Sequence, residues 1–92
     1  MKNEIINSLQ LTGLISIGES ETIEFKESFN DEAIETLGAF MNAKGGILLI
    51  GIKNSGTICG FDIGKKTLED IANRTQEATE PRIQPSISTI KY

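Results

Sequence analysis

The sequence contains no histidine, no tryptophan and a single cysteine, Cys59, among its 92 residues. Without histidine, the chain has no imidazole general base and lacks the commonest zinc ligand. One cysteine excludes an internal disulfide, and its position within a predicted strand favours a buried structural thiol over a nucleophile. Sites built on histidine or on paired cysteines are therefore excluded.

Long apolar stretches are also absent. The longest run, residues 47–52, includes a glycine and is far too short to cross a bilayer. The first ten residues carry Glu4 and several polar side chains where a signal peptide requires an apolar segment. We therefore expect no membrane association and a cytoplasmic location.

Basic residues are outnumbered, with nine lysines and arginines against thirteen acids and a net charge of −4. This balance argues mildly against nucleic-acid binding, whose usual footprint is a basic face. A local basic patch is still compatible with it, because Lys44 ends the second predicted helix and Lys53 opens a predicted turn, and a flexible cation at such positions can meet phosphates. No aromatic platform for bases is evident, since Phe25 and Phe40 fall on predicted core faces.

Hydrophobic periodicity predicts one α+β domain over residues 1–92, with the order α-β-α-β-β-α-β and helices packed against a mixed sheet. The chain stops within an apparent strand, so we expect the N-terminal fragment of a longer protein. Glycines at both ends of residues 13–18 predict a linker after the first helix. The predicted helices span residues 2–10, 31–44 and 67–80, and the predicted strands span residues 22–27, 46–52, 57–61 and 82–92.

Caps and turns are predicted from single residues. Asn30 is a good N-cap for the second helix, and Gly45 or Gly46 is expected to end it in a left-handed conformation. In the turn that follows the apolar strand, Asn54 and Gly56 are both able to take a positive φ.

A glycine- and lysine-rich loop at residues 60–67 partly resembles a phosphate-binding loop. The Walker pattern requires four residues between its glycines and a hydroxyl residue directly after the lysine. Here three residues separate Gly60 from Gly64, and Lys66 intervenes before Thr67. ATP binding is therefore not expected, and a loop that caps the third helix is the better interpretation.

Four carboxylates crowd into residues 19–28. Glu24 shares the polar face of its strand with Lys26, so the simplest interpretation is a solvated strand face with a surface ion pair. Glu19 stands five residues earlier, and it can converge with Glu24 on a cation only if the chain turns near residues 20–22. A divalent metal held by two carboxylates would keep several waters.

Taken together, several motifs in the same order resemble the Schlafen AlbA-like domain family, over about residues 15–90. The matching pieces are Glu19-Ser20-x-x-Ile23-Glu24-Phe25-Lys26, Ala39-Phe40-x-Asn42, Gly45-Gly46 and Leu49-Ile50-Gly51-Ile52. The resemblance implies an α+β domain found in prokaryotic proteins described as DNA-binding transcriptional regulators or helicase-related proteins. In eukaryotic Schlafen proteins, related domains form an endoribonuclease core.

The resemblance also implies site residues. Two glutamates of the nuclease-type site match Glu19 and Glu24, but its aspartate position falls on Asn54, preceded by Lys53. An amide supplies no negative charge, and the lysine repels a cation, so the resemblance inclines towards a domain without catalysis.

Three hypotheses follow. The leading one is a nucleic-acid-binding domain, with DNA as the expected target, whose backbone-contacting residues are Lys26, Lys44, Lys53 and Asn54. The second is a metal-dependent endoribonuclease in which Glu19 and Glu24 hold magnesium or manganese. The third is a homodimerisation module in which strands pair between protomers.

Overall fold

The structure is a computed structural model that describes residues 7–82 and 85–91. Three helices and a two-stranded parallel sheet form an α+β domain, which confirms the predicted class. The elements are α1 (Ser8–Ile17), β1 (Ile23–Lys26), α2 (Asp31–Asn42), β2 (Ile47–Ile50) and α3 (Thr67–Ala78).

The sheet joins β1 and β2 in parallel, with Ile23 opposite Ile47 and Lys26 opposite Ile50. Parallel strands require a crossover connection, and α2 supplies it. As a result both strands end on the same side of the sheet. We call this side the carboxyl end of the sheet.

Apolar side chains cover both faces of the sheet. On one face, α1 packs against β1 and β2 in a cluster of Leu11, Ile23, Phe25, Leu49 and Ile52. On the other face, α2 and α3 form a second cluster, to which β2 contributes two partly buried residues. The second cluster consists of Phe29, Ala33, Ile34 and Ile71, with Leu48 and Ile50 from β2. Both faces of β2 are therefore covered.

The start and end of α2 follow local signals. The side-chain oxygen of Asn30 accepts a hydrogen bond from the Ala33 N–H at 3.0 Å, so the predicted N-cap is confirmed. After the helix, Gly45 takes a φ of 88°, and its N–H donates to the Phe40 carbonyl at 2.8 Å. Gly46 lets the chain pass directly beside the Phe40 ring, because a Cβ there would lie 2.6 Å from ring carbons.

The first helix begins later than predicted and includes most of the predicted linker. Asn7 caps it, in a reciprocal pair in which the Asn7 and Gln10 side chains accept each other's backbone N–H groups. The helix continues through Gly13 to Ile17 and is capped by Gly18, whose φ is 86°. The linker prediction was wrong, and the part of the predicted helix before residue 7 lies outside the described residues.

The returning strand and the mixed sheet are not confirmed. The antiparallel pairing is reduced to one bridge between Ile52 and Ile58. The N–H groups of Cys59 and Gly60 both donate to the Gly51 carbonyl, at 2.8 and 2.9 Å. Two residues opposite one is the pattern of a bulge, which interrupts the ladder. Cys59 is exposed, so the predicted buried thiol was wrong.

The last predicted strand is also not found in the described residues. Residues 85–91 carry no strand, although Ile87 and Ile90 contact the two apolar clusters. Residues 83, 84 and 92 of the predicted strand lie outside the described residues. In the turn after β2, Gly56 takes a φ of 89° as predicted, whereas Asn54 does not have a positive φ.

Gly51 and Gly38 form a matched pair for testing this backbone. At Gly51, φ is 91° and a Cβ would lie 2.9 Å from the Gly60 carbonyl carbon. We expect Gly51→Ala to lower the free energy of unfolding by about 2 kcal/mol or more, because strain and steric overlap combine. Gly38 lies within α2, and a Cβ there would meet nothing within 4 Å. Gly38→Ala is therefore expected to raise the free energy of unfolding by about 0.5–1 kcal/mol.

Urea denaturation of both variants measures these changes. Equal effects at the two positions would contradict this account of the Gly51–Gly60 contact.

Candidate nucleic-acid interface

The parallel register separates the four predicted nucleic-acid contacts into two groups. Lys26 ends β1, and its carbonyl accepts the N–H groups of Gly51 and Ile52 at 2.7 and 3.2 Å. Lys53 and Asn54 directly follow Ile52, so three of the four predicted contacts, Lys26, Lys53 and Asn54, lie at the carboxyl end of the sheet. Lys26 and Asn54 line one shallow depression there. Lys44 precedes β2 and therefore lies towards the opposite end of that strand.

Lys26 is already paired with carboxylates. Its Nζ lies 3.1 Å from Glu32 Oε2 and 3.9 Å from Glu24 Oε1, and only 20% of its side chain is exposed. The hydrogen bond to Glu32 raises the pKa of Lys26 above 10.5. Desolvation lowers this pKa and so offsets part of the rise, whereas the negative charges of Glu32, Glu24 and Glu19 raise it further. The lysine thus ties β1 to the first turn of α2, and a phosphate would have to compete for its charge.

Glu19 returns towards β1 because the chain bends between residues 19 and 22. Its Oε2 accepts a hydrogen bond from the Phe25 N–H at 3.1 Å. The bend that would let Glu19 converge with Glu24 on one cation is therefore present. The negative charges of both carboxylates raise the pKa of the same group, the Lys26 ammonium. The remaining acids of the segment, Glu21 and Glu27, are exposed.

The donor set fits a protein-held metal poorly. Across residues 7–82 and 85–91, no group of three or more histidine, cysteine, aspartate or glutamate side chains is placed to hold an ion. Glu19 has already engaged one carboxylate oxygen, and Glu24 faces the ammonium of Lys26. Asn54, at the position of a third acid, supplies no charge. The assignment of Glu19 and Glu24 as metal ligands stays a prediction.

Several other cations are exposed and carry no ion pair. In the described part of the chain, the ion pairs involve only Lys26 and Arg74. Arg74 lies 3.9 Å from Asp31 and 5.1 Å above the Phe29 ring, so it fastens α3 to the start of α2. The exposed lysines without an ion pair include Lys44, Lys53, Lys65 and Lys66.

Sequence reasoning left Lys65 and Lys66 out of the candidate interface. Their position in a loop before the third predicted helix is one where a flexible cation can meet phosphates, but the four predicted contacts do not include them. In the structure, the two adjacent lysines occupy an exposed loop directly before α3. Exposed cations in loops are the groups that meet phosphates most readily.

Comparison with known proteins identifies the family. The profile of the family described as Schlafen, AlbA_2 matches residues 19–92, and this chain belongs to that family. The resemblance stated from the motifs is therefore confirmed. Searches of curated proteins and of solved structures found no match. No helix in the described residues is long and apolar enough to span a bilayer.

The Lys26 pairing predicts a specific dependence of stability on pH. Because folding raises the pKa of Lys26 above 10.5, the stabilisation is complete below about pH 10.5 and is lost as pH rises through the folded-state value. We expect wild type to be more stable than Lys26→Met at pH 8, with the difference shrinking above pH 10.5.

Urea denaturation at several alkaline pH values tests this. Lys44→Met is the control for loss of a lysine, because Lys44 is exposed and carries no ion pair. A Lys26→Met difference that stays constant with pH would contradict the pairing.

Proposed function

We propose that this domain binds nucleic acid, with DNA as the target, by contacting backbone phosphates through exposed lysines. The observation that supports this most directly is the division of the cations. Lys26 and Arg74 are paired within the fold, whereas Lys44 and Lys53 are exposed without ion pairs. Membership of the Schlafen, AlbA_2 family also suggests a nucleic-acid-related domain. A role within a transcriptional-regulator-like protein is part of the same proposal.

Lys53 and Asn54 form the principal contact in this proposal. They occupy the exposed turn at the carboxyl end of the sheet, where a lysine supplies charge and an amide supplies hydrogen bonds. Lys44 meets a different phosphate, because β2 lies between the two lysines and spans roughly 10 Å at its strand rise. Lys26 contributes less than either, since Glu32 and Glu24 already share its charge.

The same surface predicts how binding behaves. The phenylalanines at positions 25, 29 and 40 are buried, and Phe61 is half-buried, so the described residues offer no exposed phenylalanine on which bases can stack. Contacts to phosphates carry no sequence information directly. Binding is therefore expected to be weakly sequence-selective and to fall steeply as the salt concentration rises.

The lysine assignments predict graded losses of affinity. Lys53→Gln and Lys44→Gln should each lower the slope of log K against log salt by about 0.7–0.9, the value for one released phosphate contact. Lys26→Gln should change the slope less. Fluorescence anisotropy with labelled DNA and RNA at low to moderate salt measures the slopes.

Lys91→Gln is the matched control, because Lys91 is exposed but lies outside the proposed contacts. An unchanged slope for Lys53→Gln, or no binding of either nucleic acid at low salt, would contradict the proposal.

A metal-dependent endoribonuclease is the second candidate. One observation favours it: the chain bends at residues 19–22, and the charges of Glu19 and Glu24 both raise the pKa of the Lys26 ammonium. The incomplete donor set and Asn54 argue against it. If the candidate is right, Glu24→Gln should abolish Mn²⁺-dependent cleavage of structured RNA. Equal cleavage by wild type and variant would exclude this role of Glu24.

A further inference from the structure

The outer edge of β1, the side that faces away from β2, is the feature from which this inference starts. Alternate residues of a parallel strand bond to opposite neighbours. Thr22 and Lys26 give their carbonyls to β2, where the N–H groups of Ile47 and Gly51 donate to them. The backbone groups of Ile23 and Phe25 therefore point to the outer edge, where no third strand lies among the described residues.

Residues immediately before β1 cover this edge. The Glu19 carboxylate accepts the Phe25 N–H at 3.1 Å, and the Ser20 N–H donates to the Ile23 carbonyl at 2.9 Å. One side chain and one backbone group thus occupy the positions that a neighbouring strand would take. An uncovered edge of this kind is a template for pairing with another chain.

We propose that Glu19 and Ser20 form a removable cover over the outer edge of β1, and that the uncovered edge accepts β1 of a second copy of this chain. The pairing is antiparallel and centred on Phe25. In that register the two Phe25 residues exchange N–H and carbonyl groups as a hydrogen-bonded pair.

Charge complementarity identifies the second copy as the occupant. In a register centred on Phe25, Glu24 of one copy lies opposite Lys26 of the other, and the reverse pair forms at the same time. Opposite charges directly across a strand pair stabilise it, whereas like charges destabilise it. The apolar residues Ile23 and Phe25 stay on the face covered by α1, so no core side chain has to turn outwards. The strand is therefore complementary to itself.

The third hypothesis from the sequence was strand pairing between protomers. The outer edge of β1 is the specific edge for such pairing, and Glu19 and Ser20 are what must move to allow it. Glu19 also has a role that requires no metal, since its Oε2 serves a backbone N–H. This inference does not depend on nucleic-acid binding, because it concerns the outer edge of β1, whereas Lys44 precedes β2 and Lys53 follows it.

Hydrogen exchange at the Phe25 amide tests the cover, by NMR at low protein concentration. In wild type the amide should exchange slowly. Glu19→Gln should keep this protection, because the amide oxygen still accepts the bond, whereas Glu19→Ala should exchange at least about fivefold faster. If the Phe25 amide of wild type exchanges at the rate of an unprotected amide, the proposed cover does not exist, and this result needs no variant. Equal protection in wild type and Glu19→Ala would overturn it too.

Sedimentation over a range of concentrations tests the occupant. Wild type and Glu19→Gln should stay monomeric, whereas Glu19→Ala should dimerise as its concentration rises and regain protection at Phe25. In Glu19→Ala/Glu24→Lys, a lysine lies opposite Lys26, so dimerisation should be lost. If Glu19→Ala stays monomeric, or if the double variant dimerises equally well, a second copy is not the occupant.

Discussion

The parallel pairing of β1 and β2 is the interaction on which the rest of the structure depends. It spans only four residues on each strand, yet it sets which side chains face each helix layer and which residues meet at the carboxyl end. Ile23, Phe25 and Leu49 turn to α1, while Leu48 and Ile50 turn to α2 and α3. A shift of one residue in the register would exchange these faces. The same register places Lys26 beside the turn that carries Lys53 and Asn54.

Charge is distributed unevenly around this sheet. The two cations with ion pairs in the described residues, Lys26 and Arg74, are engaged with carboxylates, and the pairs with Glu32 and Asp31 each connect α2 to a neighbouring element. The cations in loops are left to solvent. A net negative domain can therefore still present exposed lysines, although acids lie near some of them: Glu27 and Glu32 line the same depression as Asn54, and Asp62 lies in the same loop as Lys65 and Lys66.

Local signals in the sequence were enough to predict part of this structure. The core position of Phe25 and the cap at Asn30 depend on neighbours within a few residues, and both predictions are confirmed. The returning strand was not predictable in the same way, because the bulge at Gly51 depends on a contact with Gly60 nine residues away. The candidate site was also predictable only in part. Exposed lysines in loops could be predicted from their positions, but the pairing of Lys26 with Glu32 depends on the packing of α2 against the sheet.

The position of α1 has a consequence for where this domain can be cut. The family match begins at residue 19, whereas α1 lies before it and closes one face of the sheet. The segment matched by the family and the folded unit therefore do not share a boundary. A fragment trimmed to residues 19–92 would leave Ile23, Phe25 and Leu49 exposed to water on that face. Such a fragment would tend to aggregate, even though it retained every residue by which the family is recognised.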